Sequence, residues 1–586
     1  MNELVKQKEN KKNKKPKVSN SLKFTILAVI LIAIFCVALT PVTLQNDTFY
    51  TIKVGEHIAQ NGIDMKDPFS WHEDLPYTYP HWLYDLLTYY IYSFAGMTGI
   101  YITTCILSVI LGLSIYFTNT KLAKNQFFSF VVTIGAMYLI RGYIAARAQL
   151  VTFILFVLTV YFIEQFLATK KKRYVAGLII IPILIANMHA AVFPFYFVLY
   201  LPYIAEYLVA VLSDMVIYRK IKIADLKSQI RSLNKRKQKL QKEPNKQQKL
   251  EKVEGKLTKL NAQLSEIEAK NDKIKIKRTK ALQEPYKVKI VKNNNVKWLI
   301  LIMIVCIFTG LLTPIKDTPY TYLIKTMEGP TTQNINEHQP MTLADDVDVI
   351  CTLILFLAIL IFTKAKIRLS DLFMIAGLCY LMLASRRQVS MFGIIGALIL
   401  NRLAMEIERI YSDDTAKEAV NKLTTKIGML VITVIMLSLS WYFAKDKLDD
   451  KYISESSYPV KACDYIVENI DLSKARFYNE YNYGSYMLFR GIPVFIDSRA
   501  DLYAPEFGGE DDNIFMDFIE TSNISKFYED VFKKYDITHV ITYTNSKMNM
   551  IITKTKDKNY KQLYKDDRFV VYQRLNASDA DEQVAK

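Results

Sequence analysis

Long apolar stretches, separated by short polar segments, recur along the first 445 residues of the chain. Most of them are about 17–20 residues long, the length at which an α-helix crosses the hydrocarbon core of a bilayer. The pattern therefore predicts a polytopic α-helical membrane protein with eleven spans and excludes a soluble globular protein. The predicted spans are 22–40, 99–118, 126–141, 150–167, 173–190, 192–217, 298–315, 346–364, 369–384, 388–406 and 426–444.

One further apolar segment, 82–96, is too short to cross a bilayer. It contains a tryptophan and several tyrosines, which favour the boundary between membrane and water. We predict an amphipathic helix that lies on the outer face of the membrane.

The net charge of +18 is concentrated in two segments. The tail 1–21 has 7 lysines and 2 acidic residues, and the segment 219–297 has 25 basic and 8 acidic residues. Basic loops stay on the cytoplasmic side, so both segments are predicted to be cytoplasmic. An odd number of spans then places 446–586, with 19 basic and 25 acidic residues, outside the cell membrane. Because the excess of basic over acidic residues is confined to these two segments, the composition does not indicate a nucleic-acid partner.

This pattern predicts a membrane domain in two parts, a cytoplasmic insertion and an extracytoplasmic α/β domain. The predicted boundaries are a basic tail 1–21, a first membrane part 22–218 with the outer loop 42–97, the insertion 219–297, a second membrane part 298–445 and the outer domain 446–586.

Leucine, isoleucine and, at position 253, valine recur three and four residues apart on both sides of Pro244 in the insertion. Such a seam, interrupted once by proline, predicts an antiparallel helical hairpin of the coiled-coil type. Two interpretations stay open: a basic coiled coil on the inner leaflet, or an arm that binds a protein partner or anionic lipid.

Helix-like and strand-like patterns alternate in the C-terminal part, as in a small α/β domain. Asp497, Arg499 and Asp501 lie at the end of one predicted strand and form either a site or a structural ion-pair cluster. The chain lacks nucleotide-binding glycine motifs, GxSxG and HExxH, which argues against an ATP-driven pump and common hydrolases. Helices are predicted at 460–470, 483–489 and 526–535, and strands at 475–481, 492–500, 538–544 and 568–574.

Acidic and histidine side chains are frequent in the loop after the first predicted span. Asp47 follows that span directly, and His57, Asp64, Asp67 and His81 come after it. A carboxylate at this depth can face water, a metal ion or an incoming hydroxyl group. For Asp47 the alternative to a site residue is a solvated helix end.

Several stretches of this chain resemble bacterial members of the GT-C superfamily of membrane glycosyltransferases that are related to the protein O-mannosyltransferase group. The resemblance covers nearly the whole chain except the insertion 219–297. The stretches are NDTFYTIKVGEHIAQNG (46–62), DPFSW (67–71), HWLYDLL (81–87), FAGMTGIY (94–101), NMHAAVFPFY (187–196), LLTP (311–314), EHQP (337–340), SRRQ (385–388) and NEYNYGSYMLFRGIPVFIDSRADLY (479–503).

The resemblance implies transfer of a sugar from a polyprenyl-phosphate donor on the outer face of the membrane. It assigns to Asp47 the role of general base for the acceptor hydroxyl, or of positioning it. Asp67 is the predicted second acid, in preference to Asp64, because it lies in the recurring DPFS run. A divalent metal ion held by Asp47 and Asp67 is a candidate cofactor.

Four arginines flank short turns that the predicted topology places outside, against the usual charge bias. Arg141, Arg147, Arg386 and Arg387 are therefore predicted to bind the phosphate of the lipid donor, because guanidinium groups pair with phosphate bidentately. The alternative is that they extend from the bilayer to the interface.

Three histidines and one glutamate complete the predicted site. His57, His81, His189 and Glu337 are predicted to bind the acceptor or to line the site. A packing role for His189 and a plain loop charge for Glu337 are the alternatives.

The sequence thus predicts a multi-pass glycosyltransferase of the cell membrane. Two other functions stay open: a transporter or flippase of lipid-linked sugars, and a non-catalytic scaffold for envelope assembly. A transporter favours internal repeats and polar residues near the membrane centre; no repeat is evident, and Glu164 and Glu206 lie in the inner halves of their spans.

Overall fold

The computed structural model describes residues 20–241, 247–269, 287–342, 346–411, 422–508 and 513–575. Most of the predicted N-terminal tail lies outside these ranges.

Helices dominate the chain up to residue 445, because a helix pairs the backbone N–H and C=O groups of a mostly apolar span within the span itself. They are α1 (Asn20–Leu39), α2 (Asn46–Asn61), α3 (Trp82–Ala123), α4 (Gln126–Leu139), α5 (Ala148–Thr169), α6 (Lys172–Met188), α7 (Phe193–Val198), α8 (Leu201–Leu240), α9 (Gln247–Ala269), α10 (Val296–Ile307), α11 (Thr318–Glu328), α12 (Thr331–Asn334), α13 (Val347–Phe362), α14 (Leu369–Ala384), α15 (Val389–Tyr411) and α16 (Lys426–Ala444).

Six helical segments of the described chain are long and apolar enough to cross a membrane. Four shorter apolar helices, which include α4, α13 and α14, coincide with other predicted spans. The prediction of a helical membrane protein is thereby confirmed, whereas the number of eleven spans stays a prediction. The six segments are Ser21–Leu39, Trp82–Ala123, Ala148–Thr169, Ala190–Leu212, Arg386–Tyr411 and Lys426–Lys447.

The predicted interfacial helix and the span after it form one long helix, α3, with a kink. Gly96 supplies the kink with a φ of 60°, in the left-handed region that glycine adopts at little steric cost. The segment before Gly96 therefore runs in a direction different from that of the following apolar part.

The insertion is continuous with the helical bundle, because α8 runs from an apolar start into the basic segment without a break. Helix α9 returns beside it, and Lys237 Nζ lies 2.7 Å from Glu254 in this pair. Leu226, Val253 and Leu257, all at predicted seam positions, are buried. The turn predicted around Pro244 lies outside the described residues.

The C-terminal unit, which we define as residues 457–575, has a four-stranded sheet in the order β3-β4-β6-β5. β3 and β4 are parallel, and the other two pairs are antiparallel. Its elements are α17 (Val460–Asn469), β3 (Phe477–Tyr478), α18 (Tyr481–Phe489), α19 (Pro505–Gly508), α20 (Ile514–Asn523), α21 (Tyr528–Lys534), β4 (His539–Tyr543), α22 (Lys547–Thr555), β5 (Tyr560–Lys565) and β6 (Phe569–Arg574). A separate two-stranded parallel ladder joins Val288–Lys289 to Ile367–Arg368.

The prediction of a strand over 492–500 is wrong. This segment is buried, but apart from one bridge between Val494 and Ser70 it pairs with no strand. Instead, the side chain of Asn479 accepts a hydrogen bond from Phe495 N at 2.8 Å and donates one to Ile496 O at 2.7 Å. A side-chain amide thus takes the place of a neighbouring strand, which periodicity cannot reveal.

Two apolar cores lie in the described chain. One unites the long helices, and the other unites the C-terminal unit with the loop 42–97. Trp71 Nε1 donates to Phe477 O at 3.0 Å, and His72 Nε2 lies 2.9 Å from Phe495 O. The loop and the C-terminal unit are therefore packed as one body over the end of the helical bundle that carries Asp47.

Candidate active site

A large cavity of about 940 Å³ lies between the loop 42–97, the C-terminal unit and the helical bundle. Asp47, in the first turn of α2, borders it together with Tyr50 and Thr51. Residues three and four apart share one face of a helix, so these side chains line the same wall. An acidic side chain in the first turn is also favoured by the helix dipole.

Arg147 joins two predicted site residues that are far apart in sequence. Its Nε lies 2.8 Å from Asp47 Oδ2, and its Nη1 lies 3.3 Å from each carboxylate oxygen of Glu337. The Nε contact is an ion pair without hydrogen-bond alignment. Burial alone would lower the pKa of Arg147, but Asp47 and Glu337 outweigh it and raise this pKa above its ordinary value.

All four predicted phosphate-binding arginines border a second cavity of about 450 Å³, which we call the arginine cavity. Arg141 Nη2 lies 3.0 Å from Asp348 Oδ2, and Arg386 Nε lies 3.2 Å from Asp346 Oδ2. Arg147 and Arg387 border both cavities, so the two cavities meet at these side chains.

Arg387 has no carboxylate partner among the described residues. Its Nη1 lies 3.3 Å from His338 Nε2, and burial together with the charge of Arg387 lowers the pKa of His338. Its backbone N–H donates to Glu337 O at 2.9 Å, and this bond joins the segment 337–340 to the turn 385–388. His338 borders the large cavity and was missed by the sequence analysis, which singled out only its neighbour Glu337.

The structure separates the predicted histidines. His81 and His189 border the large cavity with ring centroids 4.9 Å apart. Burial, with a smaller contribution from Arg387, lowers the pKa of His81 to about 3, so this imidazole is neutral at physiological pH. His57 does not border the cavity; it lies 3.1 Å from Asp64 and stacks on Tyr79.

Asp67 is fully buried and lies outside the wall of the large cavity. Its Oδ1 is 2.7 Å from Arg499 Nη1, and Arg499 Nη2 is 2.7 Å from Asp497. Burial raises the pKa of Asp67, but Arg499 outweighs burial and holds this pKa below its ordinary value. The pair predicted from sequence is therefore not brought together: Asp47 faces Arg147, and Asp67 links the loop to the C-terminal unit.

The residues present do not fit the candidate divalent metal. Asp47 is already paired with Arg147, and Asp67 with Arg499. In the part of the chain that the structure describes, no group of three His, Cys, Asp or Glu side chains is arranged to hold a metal ion.

The C-terminal unit supplies part of the cavity wall. Asp501 Oδ1 accepts a hydrogen bond from Thr331 at 2.8 Å, and its Oδ2 accepts one from Tyr322 at 2.8 Å. Arg499 and Glu480 also border the cavity. The predicted ion-pair cluster at 497–501 thus combines a buried ion pair with a carboxylate in the cavity wall.

Comparisons with known proteins give a match at the level of the fold. No family model and no curated protein matches the chain. Among solved structures, the archaeal oligosaccharyltransferase AglB from Archaeoglobus fulgidus, in complex with an inhibitory peptide and a dolichol-phosphate, matches with a TM-score of 0.50. The match has 12% sequence identity and covers 92% of this chain and 72% of AglB. The match shows that the chain shares the overall fold of that enzyme.

Proposed function

We propose that this protein is a membrane glycosyltransferase that transfers a sugar from a polyprenyl-phosphate donor to an acceptor hydroxyl. The observation that carries the proposal is the Asp47–Arg147–Glu337 bridge at the junction of two cavities. A transferase needs a donor site and an acceptor site that meet at one reacting atom. The fold, shared with an enzyme solved with a dolichol-phosphate, supports a lipid-linked donor.

The arginine cavity is the proposed site for the lipid phosphate. Arg141 and Arg386 are each paired with one aspartate, whereas Arg387 has no ion pair among the described residues. Its guanidinium is therefore the group best placed to pair with the phosphate. Such a contact stabilises the negative charge that develops on the leaving phosphate as the sugar–oxygen bond breaks.

Asp47 is the proposed base on the acceptor side. In the reaction the acceptor oxygen bonds to the anomeric carbon, the bond from that carbon to the phosphate oxygen breaks, and the acceptor proton passes to Asp47. Glu337 shares Arg147 with Asp47, so it keeps the arginine between the two cavities. We place the reaction on the outer face, following the predicted charge asymmetry, and the relation to the O-mannosyltransferase group belongs to this proposal.

The test uses the purified full-length protein with short-chain polyprenyl phosphates that carry labelled mannose, glucose or galactose. We expect labelled sugar in a lipid, protein or polymer fraction together with release of polyprenyl phosphate. Removal of the bridging cation in Arg147→Ala should lower the rate by about 10²–10³-fold, as for other transition-state donors. The matched control is Arg490→Ala, because Arg490 also forms an ion pair, with Asp464 at 2.7 Å, but borders neither cavity. Absence of transfer and of donor cleavage with every donor would refute the proposal.

The transporter alternative draws on charged residues within the bundle. Glu164 lies 2.8 Å from Arg402, and Glu206 lies 2.9 Å from Arg368. Because these acids are paired with arginines, they support a structural role better than a substrate path. Movement of labelled donor across the membrane of liposomes, without cleavage of the donor, would favour the transporter instead.

A further inference from the structure

The large cavity is bordered by a further carboxyl group, that of Asp85, which the proposed chemistry does not use. Asp85 lies in the first turn of α3 and is 0% exposed. Neither of its carboxylate oxygens has a hydrogen-bond partner among the described residues. A buried carboxyl without partners is costly, and such groups in native proteins call for an explanation.

The fold holds Asp85 close to α2. Gly55 faces it, and a Cβ atom at that position would come within 2.1 Å of the backbone oxygen of Asp85. Glycine therefore permits a contact between the two helices that no other residue allows. Gly55 lies eight residues after Asp47 on the same helix, about 12 Å along its axis. Asp85 is thus placed to contact a part of a bound molecule other than the reacting hydroxyl.

Arg499, whose charge acts on Asp85, is committed elsewhere. Arg499 pairs with Asp67 and Asp497 and lies with its guanidinium carbon 4.9 Å from the ring centroid of Tyr77. Burial and then the nearby charge of Asp85 raise the pKa of Tyr77, which places this phenol close to Asp85 as a neutral group. The acceptor capacity of Asp85 is therefore left for a molecule in the cavity.

The charge of the cavity wall limits the class of that molecule. Five carboxyl and three guanidinium groups border the cavity, and burial raises the pKa of two of these carboxyls, Asp85 and Glu480, which favours their neutral forms. The wall therefore has no clear excess of either charge that would select a charged ligand. A neutral molecule rich in hydroxyl donors satisfies a carboxylate without adding charge. The charged residues of the wall are Asp47, Asp85, Glu337, Glu480, Asp501, Arg147, Arg387 and Arg499.

We propose that Asp85 binds hydroxyl groups of a saccharide in a subsite of the large cavity. The proposal rests on the proposed glycosyl transfer and adds a residue that selects the sugar. Both oxygens of one carboxylate can accept hydrogen bonds from adjacent hydroxyls of a sugar ring. The loss of these two hydrogen bonds to a buried carboxyl weakens binding by about 10- to 100-fold.

The test measures binding of methyl α-mannopyranoside, methyl β-glucopyranoside and glucosamine to the full-length protein in detergent by saturation-transfer NMR. We expect Asp85→Asn to weaken binding of the neutral glycosides by about 10- to 100-fold. The matched control is Asp74→Asn, because Asp74 belongs to the same loop but its side chain is 81% exposed and paired with Lys66. Equal binding by wild type and Asp85→Asn overturns the proposal, as does an effect confined to glucosamine, which would indicate recognition of an ammonium group.

The melting temperature distinguishes a binding role of Asp85 from a packing role. Replacing an unpaired buried carboxyl should leave the melting temperature of Asp85→Asn equal or higher. A lower melting temperature in both Asp85→Asn and the smaller Asp85→Ser would assign a structural role and overturn the proposal. The transfer assay distinguishes the two proposals. If the wild type is inactive but Asp85→Asn weakens glycoside binding, only the proposed transferase function is refuted. If the wild type is active but Asp85→Asn changes neither glycoside binding nor KM, only this subsite is refuted.

Discussion

Ion pairs decide the roles of the acidic residues in the loop 42–97. Asp47 is paired across the cavity with Arg147, whereas Asp67 is buried against Arg499. These carboxylates look alike in sequence, but one borders the cavity and the other holds two parts of the fold together. Residue-scale predictions therefore separate chemistry at Asp47 from stability at Asp67.

Asp47→Asn should lower the transfer rate by about 10²–10⁴-fold, because an amide keeps the shape but cannot accept the acceptor proton. Expression and donor binding should change little, since the carboxylate lies in a cavity wall rather than in the packed bundle. Initial rates with labelled donor measure the effect. Asp64→Asn is the comparison, because Asp64 does not border the cavity. A wild-type transfer rate in Asp47→Asn would mean that another residue is the general base. An equal loss of rate in Asp47→Asn and Asp64→Asn would favour a structural acidic cluster.

Asp67 makes stability depend on pH. Its pKa is held below the ordinary value of 3.8 in the folded state, mainly by Arg499 against the effect of burial. The ion pair therefore stabilises the fold above that value, and the stabilisation is lost as the pH falls through the lower folded-state pKa. Asp67→Asn should reduce stability at neutral pH by at most about 3–5 kcal/mol, because it removes one partner of a buried pair. Melting temperatures measured from about pH 6 to about pH 3 should begin to converge for the two proteins as the pH falls below about 4. A constant difference across this range would contradict the assignment.

At the scale of elements, the chain replaces missing backbone partners with side chains. The segment 492–500 is held by the amide of Asn479, which is fully buried. The alternation of apolar residues in this segment correctly predicts burial, but burial alone does not supply a neighbouring strand. The same limit applies at Gly96, where one residue redirects an otherwise uninterrupted apolar helix.

Asn479→Ala should destabilise the C-terminal unit by about 2–4 kcal/mol, because it leaves one buried N–H and one buried C=O without partners. The readout is the denaturant midpoint of the full-length protein, followed by the fluorescence of Trp71, which contacts this unit. Asn469→Ala is the control, because the Asn469 side chain makes only an exposed bond to Tyr465 O. Equal denaturant midpoints for the two variants would show that the Asn479 amide does not hold the segment 492–500 in place.

At the scale of the whole molecule, the insertion and the active-site region lie at different places in the fold. Helix α8 leads into the insertion, and the chain returns where Val291 N donates to Glu206 Oε1 at 2.9 Å. No residue of the insertion borders the large cavity or the arginine cavity in the described chain. The chemistry is therefore expected to be independent of the hairpin.

Replacing residues 222–285 with a flexible Gly-Ser linker should leave in vitro transfer within a few-fold of the full chain. The ladder between Val288–Lys289 and Ile367–Arg368 lies outside the deletion and keeps the returning chain in place. Initial rates of the two proteins in the same detergent provide the comparison. Loss of transfer in a deletion protein that retains its melting temperature would favour the scaffold function.

The sequence by itself determined the apolar helices, the basic insertion and the α/β character of the C-terminal part, because these follow from local composition and periodicity. Its motifs also resemble those of GT-C glycosyltransferases, and the chain shares its overall fold with the oligosaccharyltransferase AglB. The tertiary structure decided which acid meets which arginine. Asp47, Arg147 and Glu337 come from three segments, and Asp67 and Arg499 are 432 positions apart. No local pattern encodes such contacts, because they arise only when the loop and the C-terminal unit share one core. Asp85 was hidden for the same reason: its lack of partners is a property of the packed interior, not of the helix that carries it.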